Sequence, residues 1–173
     1  MNEQNQSLKR PTGLLVVFIL TVISTSLSIL QALGSLMVGP PNKAALKEIQ
    51  LQLAKSMKLA KEIDSPFFMD YIEKMGIITA DTVEHFVLYH SLSFIFCALG
   101  LIGAIMMFRG MKLGFHLYIV YSFLTLIQYY FITDPSNIPM VLLITNGLIS
   151  LLFVFLYSRH LNWMKSKEME QID

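Results

Sequence analysis

The chain has 173 residues, of which 54% are hydrophobic and 14% charged, with a mean hydropathy of +0.58; an ordinary soluble domain carries roughly 25% charged residues, so there is little here to keep a surface wet. A net charge of +1 and the lack of a basic stripe argue against a nucleic-acid partner. The single cysteine, Cys97, excludes an internal disulfide, and no Cys/His zinc spacing occurs.

The amino-terminal tail, 1–11, ends with Lys9, Arg10 and Pro11 before an uncharged run from Thr12 to Val38. A helix crossing a hydrocarbon core of roughly 30 Å needs about 20 apolar residues, so 12–38 predicts a first transmembrane helix. Ala32-Leu33-Gly34 before Ser35 has the small-x-small look of a signal-peptide cleavage site. A secretory apolar core is only about 7–15 residues long, so this longer run reads as an uncleaved anchor.

Residues 39–81 form the one sizeable polar stretch. Leu46, Ile49, Leu53, Met57, Ala60 and Ile63 recur every three or four positions, the stripe of an amphipathic helix, with Lys47, Lys55, Lys58 and Lys61 on the other side. Asn42 is its expected N-cap. Ser65-Pro66 opens a second, short helix over Phe67 to Met75, with Gly76 as its terminator. The stripe from Leu46 to Ala60 is the expected interaction surface, facing the membrane mouth, lipid headgroups, another membrane protein or a second copy.

Asp81-Thr82-Val83-Glu84 has the spacing of a capping box and would open the next helix. The second span follows from Phe86 to Phe108 (82–108 with its cap), the third from Leu113 to Ile132 (113–133), and the fourth from Ile138 to Tyr157 (137–159), leaving a tail over 160–173. Asp134-Pro135 reads as the start of the fourth, with Pro139 either in the same first turn or restarting it. The expected fold is all-α: an integral membrane four-helix bundle with an amphipathic helical segment between its first two helices.

Short loops rich in Lys and Arg mark the cytoplasmic side. Arg109 and Lys112 lie in the second-to-third turn, whereas the third-to-fourth connection has only Asp134. With Lys9, Arg10, Arg159, Lys165 and Lys167 in the tails, seven basic residues fall on the proposed inside and six lysines in the 39–81 segment outside. The short turn and tails weigh more, which puts both termini in the cytoplasm. The turn RGMKLGFHLY is similar to the inner hairpins of small bacterial membrane proteins, which suggests a bacterial inner membrane.

No charge lies centrally in any span, which argues against a proton pump or a carboxylate-based ion-coupled transporter. Asp81, Glu84 and His85 sit close enough to offer metal ligands if the loop supplied more, although capping and a headgroup-level histidine explain them without one. His116 and His160 fall at similar depth near two inner helix ends, where a haem or quinone contact is conceivable; an interfacial, hydrated pair is the simpler reading. Gln31, Gln128 and Asn146 need hydrogen-bond partners in lipid, and Gly100, Gly103 and Gly147 permit close helix approach. Tyr118 and Tyr121 lie deep enough to face a cavity.

There is no phosphate-binding loop, dinucleotide turn, nucleophile elbow or HExxH sequence. No cofactor is implied and nothing favours an enzyme. The first functional expectation is a scaffold or subunit of a membrane complex, with the lipid bilayer as its solvent. The second is a binder or carrier of a small apolar molecule, a lipid or quinone, in a cavity with Tyr118, Tyr121, Gln128 and Asn146. The third is a haem or metal protein using the histidines.

Overall fold

The computed structural model describes residues 9–164, so Lys165 and Lys167 lie outside the described residues. The described chain is all-helical, with six α-helices: α1 (Thr12–Val38), α2 (Lys43–Glu62), α3 (Pro66–Glu84), α4 (Phe86–Phe108), α5 (Leu113–Ile127) and α6 (Met140–Ser158). Two 3₁₀ turns, Gln128–Phe131 and Pro135–Asn137, lie between α5 and α6. Three helices, α1, α4 and α6, are long and apolar enough to cross a membrane.

The local signals decide where most helices begin and end. Asn42 Oδ1 accepts from Ala45 N at 2.9 Å to cap α2, and Ser65 Oγ accepts from Phe68 N at 3.4 Å ahead of Pro66. At the end of α4, Gly110 N donates to Met107 O and Met111 N to Met106 O, both at 2.9 Å, with Gly110 at φ 90°. That is a Schellman termination, and its left-handed residue favours glycine.

Four expectations need correction. First, α3 does not stop at Gly76 but continues to Glu84. An interior glycine costs about 1 kcal/mol relative to alanine, but Gly76 lies on the side facing Leu53 of α2, and Ile78 beyond it is buried. Packing outweighs propensity there. Second, Asp81 opens no helix. It lies in the last turn of α3, its carbonyl accepts from His85 N at 2.8 Å, and its side chain accepts from Thr133 Oγ1. The break falls instead at His85 (φ −98°, ψ 33°), between α3 and α4.

Third, α5 is a 15-residue α-helix that tightens into a four-residue 3₁₀ turn, so it falls short of the continuous span expected over Leu113 to Ile132. Fourth, Asp134 caps the second 3₁₀ turn, accepting from Ser136 N at 2.8 Å, and α6 begins only after Pro139. Proline disfavours the helical conformation in the residue before it, and Ile138 is extended accordingly (φ −85°, ψ 119°).

The helix α4 is the hub: α1 and α5 pack closely along it, α6 packs on α5, and α2 on α3. Two ends follow. The terminal end holds the start of α1, the α4–α5 turn and the end of α6; the other end carries α2 and α3. At the terminal end the Arg10 guanidinium lies 3.7 Å from the Phe108 ring centre, and Phe18 stacks on Phe108 at 4.0 Å. At the α2–α3 end the Thr133–Asp81 hydrogen bond ties the segment after α5 to α3.

Candidate functional site: a polar trough among apolar helices

The contact between α4 and α5 depends on three glycines. A Cβ on Gly114 would stand 2.5 Å from Gly103 O, one on Gly103 2.9 Å from Gly114 O, and one on Gly100 2.7 Å from the Tyr121 ring. Backbone thus meets backbone toward the terminal end, and the Tyr121 ring fills the next level. Around this contact Leu14, Met107, Tyr157 and Met164 are wholly buried, with Val17 and Tyr118 nearly so. Tyr157 Oη donates to Thr21 Oγ1 at 2.9 Å, and Thr25 Oγ1 donates to Thr21 O at 2.7 Å. The hydroxyls of Thr21, Thr25 and Tyr157 are therefore hydrogen-bonded.

Toward the α2–α3 end the packing opens into a cavity of about 240 Å³. From α4 it is lined by Tyr89, His90, Ser93 and Cys97; from α1 by Ser28, Gln31 and Ala32; and from the α5 side by Tyr121, Thr125 and Gln128. Of these, only Ala32 lacks a side-chain heteroatom, and none is a carboxylate, lysine or arginine. Gln128, in the 3₁₀ turn, donates through Nε2 to Tyr89 O at 3.2 Å and to Ser93 Oγ. These bonds hold the end of α5 against α4 at the cavity wall. Thr125 Oγ1 turns back to Tyr121 O and Ser122 O at 3.1 and 3.0 Å.

Two further hollows share its walls. Beneath α3 a space of about 320 Å³ has Tyr89 and His90 in common with it, and Phe86 meets the His90 ring at 4.4 Å between centres. A chamber of about 90 Å³ on the terminal side shares Tyr121 and is lined also by Thr21, Thr25, Ser122 and Ser150.

Of the residues expected to pack or line a cavity, Gln31, Tyr121 and Gln128 meet at the main cavity, and Tyr118 and Tyr121 at the smaller chamber. Gly100 and Gly103 lie in the α4–α5 contact, whereas Gly147 has open space where its Cβ would be, and half-buried Asn146 lines neither hollow. His116 is exposed and its Nδ1 lies 3.2 Å from Lys112 O; His160 packs on Gly13, 3.1 Å from its Cβ position. Burial, with Arg159 beside it, pushes the His160 imidazolium down from its usual range. Among the described residues no group of three or more His, Cys, Asp or Glu is placed to hold a metal ion, so Asp81, Glu84 and His85 form no such cluster. Leu46, Ile49, Leu53 and Met57 are half-buried and Ala60 is buried on α2, which packs against α3.

Ser28, Tyr89, His90, Ser93, Cys97 and Thr125 were not anticipated as one site. A signal for them exists: Thr21, Thr25, Ser28 and Gln31 on α1, and Tyr89, Ser93 and Cys97 on α4, recur every three or four residues. Each is a weak mark by itself because a hydroxyl can bond its own preceding turn. The chain matches no protein-family model, no curated protein and no solved structure.

Proposed function

We propose that the chain is an integral membrane protein, a non-enzymatic four-helix bundle with both termini cytoplasmic, that binds the uncharged polar head of a small amphiphile, a lipid or quinone, in the 240 Å³ cavity. The fourth span in this reading is α5 with its 3₁₀ extension. Fifteen α-helical residues and four 3₁₀ residues rise about 22 Å and 8 Å, together about the 30 Å of a hydrocarbon core. The Arg109–Lys112 turn supports the cytoplasmic assignment of the terminal end.

One observation carries the binding reading: hydrogen-bonding side chains of three apolar helices converge on a space that they leave unfilled. Ser28, Thr125 and Gln128 already bond backbone carbonyls or Ser93, and the lone pairs and N–H groups left over around the hollow suit an occupant with hydroxyl, carbonyl or quinone oxygens. Neutral walls disfavour ions. The volume lies below the roughly 300–1,000 Å³ of drug-sized sites, which suits a headgroup whose tail lies outside.

The test is recovery of ligand from protein purified in mild detergent. Native mass spectrometry and solvent extraction are expected to yield a stoichiometric lipid or quinone that Ser28→Leu with Gln128→Leu loses. Protein that retains no small molecule, and whose melting temperature responds to neither phospholipid nor a short-chain benzoquinone, removes this reading.

A specific observation favours a second reading, a subunit of a membrane complex or self-assembly. Outside the proposed spans, Ile63, Phe67 and Phe68 are 67, 56 and 49% exposed around the α2–α3 turn, a surface for another membrane protein. Here the amphipathic pair presents its turn while Leu53 and Met57 hold α2 on α3. Leu53→Glu or Met57→Glu is then expected to reduce complex size in native gels, and unchanged size and melting temperature in both variants would count against it.

A further inference from the structure

We infer that the cavity opens sideways into the bilayer between α1 and α5, so that its ligand enters and leaves laterally from lipid rather than along the axis from water. The identity of the ligand rests on the binding reading above; the direction of access rests on the arrangement of walls. α4 forms the back wall, because α1 and α5 both pack closely along it and barely on each other. α6 does not close the front: it contributes Ile149, Ser150 and Phe153 to the 90 Å³ chamber but no residue to the 240 Å³ cavity. At the rim, Gln31 lines the cavity and is itself exposed, so the cavity reaches the outer surface at that residue. The adjoining α1 surface is apolar, with Leu27 and Leu30 exposed beside it. A polar amide at the edge of a trough, flanked by leucines, matches an amphiphile whose head lies inside and whose tail remains in lipid.

The axial directions are interrupted by packed side chains. On the terminal side, the Tyr157–Thr21 hydrogen bond and the wholly buried Leu14, Met107 and Tyr157 close the path. Beneath α3 the connecting level is occupied by the Phe86–His90 and Tyr89–Tyr129 ring pairs, 4.4 and 6.0 Å between centres.

Cys97 lines the cavity and is the only cysteine, which supplies a native reporter in full-length protein reconstituted into liposomes. A bilayer-soluble maleimide is expected to modify Cys97 about tenfold faster than a membrane-impermeant one applied to either face, since both reagents meet the same thiolate fraction and their ratio reports access. Gln31→Trp, a plug at the lateral rim, is expected to slow the bilayer-soluble reagent about tenfold, whereas Val83→Trp under α3 leaves the rate unchanged. Ser93→Cys in a Cys97→Ser background repeats the measurement at a second wall position. Faster reaction with the impermeant reagent, slowing by Val83→Trp in place of Gln31→Trp, or no reaction at either position overturns lateral access. A short-chain benzoquinone and a phospholipid serve as protecting probes. If the rim plug acts as expected but neither probe protects the thiol, lateral access stands and the amphiphile reading falls.

Discussion

The two halves of the helix assembly solve the same problem in opposite ways. At the terminal end, glycines bring α4 and α5 into backbone contact, aromatic rings fill the space between α1, α5 and α6, and the hydroxyls of Thr21, Thr25 and Tyr157 bond one another or backbone. At the α2–α3 end α1, α4 and the end of α5 present serine, glutamine, tyrosine and histidine to a hollow, with Gln128 bonded to Tyr89 and Ser93 across it. In the proposed membrane setting apolar helices gain little from mutual burial, so close packing and hydrogen bonds hold them together. The closed half supplies that adhesion, which leaves the open half free to retain polar surface for something else.

The largest expected effect comes from breaking the closed half. Gly114→Val places atoms where Gly103 O and Met107 N already stand, and overpacking of this kind costs about 1–3 kcal/mol or more. Loss of a monodisperse peak in detergent size-exclusion chromatography is the expected outcome. Next, Met107→Ala removes a wholly buried side chain from the terminal-end cluster; with the small hydrophobic transfer term of the proposed membrane setting, the cavity left behind is expected to cost about 2 kcal/mol, read as a lowered melting temperature.

Tyr157→Phe is a finer probe. It deletes the hydrogen bond to Thr21 and keeps the ring, for an expected loss of about 0.6–2 kcal/mol. By contrast Ser28→Ala, in the open half, is expected to stay within about 0.5 kcal/mol of the parent while weakening ligand retention. Equal destabilisation by these two variants would dissolve the distinction between the halves.

The smallest effect is a pH dependence at the terminal end. The His160 pKa is lowered by burial and by Arg159, so the folded state binds its proton less readily than the unfolded chain. Stability contributed by neutral His160 is therefore present above the ordinary histidine range and is lost as pH falls through that range toward the depressed folded value. Melting curves between neutral and mildly acidic pH are expected to show a decline that His160→Gln reduces. An unchanged slope would show that the packing on Gly13 tolerates the charge.

Much of this molecule is written in local pattern. Long uncharged runs announce α1, α4 and α6; Asn42, Ser65 with Pro66, and Gly110 mark boundaries; and the spacing of Leu46, Ile49, Leu53, Met57 and Ala60 matches the less exposed side of α2, although Ile63, the last of that stripe, is exposed at its C-cap. Local signals misled where a tertiary contact competed. Gly76 looks like a terminator until Leu53 of α2 lies beside it, and Asp81 looks like a cap until Thr133, 52 residues away, donates to it. The hollow was only partly legible. Gln31, Tyr121 and Gln128 stood out as polar groups at depth, but Ser28, Ser93 and Thr125 did not, because a hydroxyl in a helix can satisfy itself on its own preceding turn.

The sequence alone determines the helical character and the apolar length of the main helices, since hydropathy and capping act within a few residues of one another. Which helices touch, where they separate and which polar stripes face one another is settled only in three dimensions. That choice depends on the small shapes of Gly103 and Gly114 meeting across two helices, and on the amide of Gln128 reaching Tyr89 and Ser93, contacts whose partners no local window contains.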